Sequence, residues 1–388
     1  MKRKHAPIKK IIFGQPSWSI RSSNVEAFVT ETGGHLAPVV FDRKRRRIQP
    51  YSVSPWWNEE LAADTPPILK VLRGDFFCLP FGGNTDAFRC ERHPVHGETA
   101  NRKWRLEGLK RATGRATLHL SMQTSVRAGH VDKRITVLDG HNAVYCQHVV
   151  SGMSGPMNFG HHATLKFPDH PGSGVLTHSS IQFGMVSPTA SENPETFGYS
   201  ILKPGAKFSE LRRVPTMTGE WGDLSRYPAR RGFEDIALLA TKPVSPFAWI
   251  AVTFPAEGYV WFALKDPRVL RQTLLWHSNG GRHYAPWNGR HLNVLGIEDL
   301  TSFFHYGLAQ SARRNRLTGL GLQTSLNLKP KRPLAVNYVM AVAVVPHGFN
   351  DTKRIEPTRN GQGVKLISSA GKSATVPLRA DFVRTGVV

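Results

Sequence analysis

Histidine, carboxylate and tryptophan side chains crowd into three glycine-rich stretches of this chain, around His96, around the pair His161–His162 and around Glu298. The stretch from Arg73 to Trp104 is the densest. Gly82, Gly83, Asn84, His93, His96, Glu98, Asn101 and Arg102 fall within it, and it shows neither a two-residue nor a 3.6-residue hydrophobic period. A long irregular connection of this kind inside a patterned chain is usually functional. Pro80, Gly82 and Gly83 fix a turn, and the His96–Gly97 step sets an imidazole beside a residue that lets backbone or ligand come close. Glu298 ends the apolar run from Leu292 to Ile297. A carboxylate partly buried there is raised above its ordinary pKa by desolvation and can act as a base near neutral pH. Glu298 or Asp299 could instead cap a helix read over Leu300–Asn315; Asp299 suits that role better, which leaves Glu298 free.

Several chemistries lack their signatures. There is no GxGxxG entering a helix, no phosphate-binding GxxxxGK[ST], no GxSxG and no HExxH. Cys78, Cys90 and Cys146 are too few for a disulfide framework and have no zinc-type spacing, so neither a metal nor any other cofactor is expected. A reducing, cytoplasmic setting fits them. Ile11–Phe13 is too short for the apolar core of a secretion signal, and no run of about 18 apolar residues suggests a membrane span. The net charge of +23 marks a basic surface and raises anionic ligands or nucleic acid as partners. With no RNP-type motif or recognition-helix pattern, charge alone speaks for nucleic acid, and that partner is not expected.

The elements that must position these residues read as strands. Residues 1–19 form a basic lead-in, and a Gly33–Gly34 turn then joins two strands between Ile20 and Val40. Asp42–Arg47 reads as a solvated hairpin tip, and of Trp56 and Trp57 one should be core and the other exposed. Alternation from Thr117 to Gln123, from Val131 to Leu138 and from Asn142 to Val150, with a turn at Asp139–Gly140, predicts consecutive strands. Residues 169–230 read as loops with short strands. Strong strands return at Phe247–Phe254, Gly258–Leu264 and Leu334–Val345. Many strands, little helix, no βαβ alternation and no internal repeat predict one large all-β sandwich over residues 20–346, with 347–388 supplying one or two edge strands and a basic tail.

Four segments resemble the aldose 1-epimerase, or galactose mutarotase-like, superfamily, in the family's order and across residues 25–345. ETGGHLAPVVF is similar to its opening hairpin. GDFFCLPFGG followed by VHGETANRKW resembles the branch that includes hexose-6-phosphate 1-epimerases, NFGHHATLKFP the second histidine motif, and VLGIEDL the strand that carries the glutamate base. The chain departs from the pattern in two places. Glu98–Ala100 stand where phosphosugar epimerases carry an arginine after the His-Gly step, with Asn101–Arg102 as a substitute. Gly160–Ala163 replace the Asn-His-aromatic motif of better-known mutarotases.

The resemblance implies a β-supersandwich of large antiparallel sheets with a sugar cleft on one open face. It implies a cofactor-free isomerase that exchanges sugar anomers by acid–base ring opening, on a free, anionic or phosphorylated sugar. Glu298 would be the base, His162 (or its neighbour His161) the acid, and His96 a hydrogen-bonding partner of the sugar hydroxyls. The acid and base are expected at opposite edges of one pyranose, with His96 on the cleft wall. Composition and proximity add Trp276 and Trp287 as stacking surfaces and Arg73, Asn84 and Arg282 as hydroxyl or anion contacts. A non-catalytic carbohydrate-binding protein on the same fold is the alternative, because this fold hosts lyases, phosphorylases and binding domains as well.

Overall fold

Period-two alternation dominates the chain, and the computed structural model, which describes residues 9–243 and 246–388, gathers most of it into two large antiparallel sheets. The eight-stranded sheet runs in the order Lys207–Phe208, Ile181–Val186, Phe233–Thr241, Gln272–Asn279, Val294–Thr301, Phe159–His161 and Phe77–Cys78. Ala163–Lys166 also pairs with Val294–Thr301. The nine-stranded sheet centres on Ala248–Phe254, Tyr259–Lys265, Leu334–Val344 and Ala143–Ser151. The architecture is an all-β sandwich.

Both central sheets are buried on both faces, which explains strands such as FEDIALLAT and LAVNYVMAVAV that are apolar almost throughout. Leu239, Leu275, Leu295 and Ile297 meet Ile250, Val252, Trp261 and Met340 between the sheets. Burial of each such side chain is worth about 1.5–3 kcal/mol relative to exposure. The far face of the nine-stranded sheet packs Trp249, Phe262 and Val339 against Val364, Leu366 and Phe382. The expected one or two C-terminal edge strands are in fact a sheet of three (Arg354–Pro357, Gly363–Ile367, Ser373–Pro377) followed by a helical turn, Phe382–Thr385. On the outer face of the eight-stranded sheet, Leu238, Leu274, Trp276 and Leu300 are covered by Phe76, Phe81, Trp287 and the short helix Pro67–Val71.

Two other expectations change. Of the basic lead-in, residues 1–8 lie outside the described residues. Lys9–Ile12 and Gln15–Arg21 instead form a hairpin of a four-stranded sheet with Glu26–Thr30 and Leu36–Val40. The helix read over Leu300–Asn315 is replaced by a strand that runs to Thr301, a turn, and four helical residues, Leu308–Ser311. Positive φ at Phe304 (49°) and Gly307 (108°) breaks any longer helix. Asp299 therefore caps nothing. The tryptophan pair divides, with Trp56 buried and Trp57 exposed, but in a turn rather than on a strand. Among the described residues no helix is long and apolar enough to cross a membrane.

Candidate active site

The register of three neighbouring strands builds the site floor. Gly160 pairs with Leu300 and Ala163 with Ile297, which sets His162 directly opposite Glu298. On its other side His162 is opposite Phe76, whose carbonyl accepts its N–H at 2.9 Å. The three side chains form one cross-strand row on the outer face. The Glu298 carboxylate Oε1 lies 3.2 Å from His162 Nε2, and the Phe76 ring stacks on the imidazole at 4.4 Å. Gly296, two residues before Glu298 and on the same face, leaves room for that carboxylate. A Cβ there would fall 2.8 Å from Glu298 Oε1 and 3.0 Å from Trp276 Cβ. Burial raises the Glu298 carboxyl well above the ordinary carboxylate range, opposed only by Arg282, and drives His162 well below the ordinary histidine range.

His96 approaches from the irregular stretch. It has φ of 57°, a conformation histidine tolerates better than most residues. Gly97 beside it is required: a Cβ there would lie 1.9 Å from the Leu79 carbonyl oxygen. The His96 ring meets His162 edge-on at 4.9 Å. Gly82 N–H points at its Nδ1 at 3.4 Å, a weak bond that favours the tautomer with the proton on Nε2. Burial lowers His96 to about 3 and His305, across the pocket, to about 4, so both are neutral at neutral pH.

A third group of residues forms the wall. The Arg282 guanidinium lies over Trp287 at 4.5 Å and Trp276 at 5.4 Å. Its Nε donates to Glu192 Oε1 at 2.6 Å and is 3.9 Å from Glu234 Oε2. Glu234 is itself buried and accepts from Trp276 Nε1 and from Ser278 Oγ, both at 2.8 Å. Arg282, Trp276 and Trp287, with Ile68, Leu69, Leu72, Val95 and Leu274, line a cavity of about 190 Å³ above the Glu298–His162 floor.

Six residues predicted from sequence line it: His96, His162, Glu298, Trp276, Arg282 and Trp287. Five do not. His161 points to the opposite face of the sheet, because adjacent strand residues alternate. There it is fully buried, stacked on Tyr338 and hydrogen-bonded through Nδ1 to Asp75 at 2.9 Å. Arg73 is buried too and spends its guanidinium on the carbonyls of Val71, Ile12 and Phe13, stapling the N-terminal hairpin. Asn84 holds a loop together, donating to Gly82 and Pro94 carbonyls and accepting from Leu308 N–H. Asn101 does the same for Val95 and Gly97 and anchors the helix Pro67–Val71 by accepting from Ile68 N–H. Arg102 is paired outward with Glu98, at 2.5 Å.

Sequence reasoning missed Phe76, Glu192, Glu234 and His305. Glu234 had a readable signal, since it is in phase with Ile236, Leu238 and Ala240 on an otherwise apolar strand face. His305 sits in the turn that replaced the expected helix.

No protein-family model and no curated protein sequence matches the chain. Solved structures do. A galactose mutarotase-like protein from Clostridium acetobutylicum superposes with a TM-score of 0.57 at 13% identity, over 86% of this chain and 97% of that one. A candidate aldose 1-epimerase from Escherichia coli K12 gives 0.55 at 12% identity, over 84% and 98%. A galactose mutarotase related enzyme from Lactobacillus acidophilus gives 0.51 at 11% identity, over 84% and 97%. The sheets, their packing and these superpositions agree: the chain has the galactose mutarotase-like fold.

Proposed function

We propose that the protein is an aldose 1-epimerase-type isomerase that interconverts sugar anomers by opening and reclosing the ring. The observation that carries this reading is the Glu298–His162 pair, a carboxylate and an imidazole 3.2 Å apart on the cavity floor. The hydroxyl oxygen that loses its proton and the ring oxygen that gains one are both bonded to C1. An acid and a base 3.2 Å apart can therefore reach both oxygens from one side of C1, rather than from opposite edges of the ring. Glu298 takes the O1 proton and the O–H electrons form the C1 carbonyl. The C1–O5 bond breaks with its electron pair going to O5, which takes the proton of protonated His162. Rotation about C1–C2 and the reverse steps close the other anomer.

One proton belongs to the pair throughout. Burial, which raises Glu298 and lowers His162, leaves it on Glu298 in the resting pair, and its transfer to His162 readies the two groups for opening, after which it is again on Glu298. His96, neutral, donates from Nε2 to a sugar hydroxyl, and Trp276 and Trp287 offer ring faces. Arg282 is the one Lys or Arg lining the cavity among the described residues, and Glu192 and Glu234 already engage it, which supports a neutral sugar over a phosphorylated one. Cys78, Cys90 and Cys146 are free thiols, which fits a cytoplasmic protein.

Saturation-transfer NMR on a panel of aldoses and their phosphates tests the reading. Glu298→Gln should slow anomer exchange by about 10²–10⁴-fold, the usual worth of a positioned acid–base group, with thermal unfolding retained. Normal exchange in that variant would remove Glu298 from the mechanism. Calorimetric sugar binding without any accelerated exchange in the wild type would make the protein a binder.

A further inference from the structure

Of twelve large hydrophobic side chains exposed among the described residues, five gather on one side of the cavity: Phe197, Tyr199, Met217, Trp221 and Tyr284. Backbone contacts tie them to the cavity wall. Gly198, between the first two, is bridged to Arg282, and Phe197 accepts from His283 N–H at 2.9 Å. The Tyr199 ring meets His283 edge-on at 5.5 Å, and Tyr284 donates to Glu192, the carboxylate that fixes Arg282. One chain further out, Met217 N–H donates to Ile201 at 2.8 Å, and Trp221 lies on the same hairpin with the Arg213 guanidinium 4.8 Å over its ring. Three chain segments side by side at sheet-like spacing extend this surface about 10 Å beyond the cavity wall.

We propose that this row is an extended glycan subsite, so that the sugar in the cavity is the reducing end of an oligosaccharide. The inference rests on the sugar-isomerase reading and names its substrate class. The cavity, about 190 Å³, suits one ring, whereas Phe197, Tyr199 and Tyr284 outside it are exposed rings of the kind that stack on further sugars. Continuity with Arg282 favours the same ligand over an unrelated protein partner. Phe197 and Tyr199 are exposed at 67% and 38%, so both can be truncated without disturbing the core.

The test is calorimetry on glucose, galactose, maltotriose, cellotriose and β-1,4-galactotriose, using the full chain and the Phe197→Ala/Tyr199→Ala double variant. At least one trimer should bind the wild type about tenfold more tightly than its monosaccharide, and the double variant should lose that advantage while its monosaccharide affinity stays the same. Equal affinity for every trimer and its monomer overturns the inference even if anomer exchange is fast. Trimer binding without anomer exchange sinks the isomerase and leaves the subsite standing. Dimers in light scattering that the double variant abolishes, with trimers no tighter, would assign the row to a second copy and overturn it.

Discussion

Glu234 should make the stability of this protein fall as pH rises through the neutral range, and Glu234→Gln should remove that fall. The carboxyl group is fully buried, with Trp276 Nε1 and Ser278 Oγ donating to it and Arg282 at 3.9 Å. Burial outweighs these stabilising contacts and raises it from 4.5 to about 7. Between those values the folded chain holds a proton that the unfolded chain has released, so the free energy of unfolding declines with pH. The stabilisation is complete below about 4.5 and gone above about 7. At about 1.4 kcal/mol per decade, the full loss is about 3 kcal/mol. With no solvent contact, the group needs no discount for screening.

The amide of glutamine fits the same contacts. Its oxygen accepts from Trp276, and its nitrogen donates to Ser278, whose hydroxyl can then donate to His291 Nδ1, 2.6 Å away. Burial holds His291 at about 3, so its ring is neutral and can carry its one proton on Nε2, leaving Nδ1 to accept. Urea unfolding of both proteins from pH 4.5 to 8 is the assay. The variant should match the wild type at the acid end and exceed it by about 3 kcal/mol at pH 8. A stability difference independent of pH, or one that grows toward acid, would refute the placement of Glu234 as a buried group that titrates near neutrality.

Two further substitutions separate the faces of the strand Val294–Thr301. Gly296→Ala puts a Cβ 2.8 Å from Glu298 Oε1 and should displace that carboxylate from His162, slowing anomer exchange by at least about tenfold with an unchanged circular dichroism spectrum. Asp299→Ala leaves Lys265, ion-paired at 2.6 Å, as an uncompensated buried charge. It should cost about 3–5 kcal/mol in denaturant unfolding, with sugar affinity per folded molecule unaltered.

Much of the fold was legible because strand alternation is a local property. The hairpin at Asp139–Gly140 and the strands Ala248–Phe254 and Tyr259–Lys265 all follow from period two and turn chemistry. The site was legible only in part. Composition and proximity singled out Arg73, Asn84 and Asn101 as contacts for a sugar or its anionic substituent, and none of them lines the cavity. Buried backbone must be satisfied first: Asn84 and Asn101 are consumed by carbonyls and N–H groups of the stretch itself, and Arg73 by carbonyls of Ile12, Phe13 and Val71. The long helix after Glu298 failed for a different reason. LTSFFHYGLAQS has helical composition, but strand pairing on both sides of Val294–Thr301 holds its start extended.

The neighbouring pairs His161–His162 and Glu298–Asp299 show how one strand register serves both folding and chemistry. The outer members, His162 and Glu298, meet in the cavity. The inner members face the core between the sheets, His161 held by Asp75 and Tyr338, and Asp299 held by Lys265, Thr273 and Tyr338. A slip of one residue would exchange the two faces and leave the inner partners with charges they cannot satisfy. The buried network that looks like a second site thus acts as the lock on the first. It makes the pairing of His162 with Glu298 the register in which His161 Nδ1 and the Asp299 carboxylate both find buried partners, which is why adjacent residues of the same type carry such different duties.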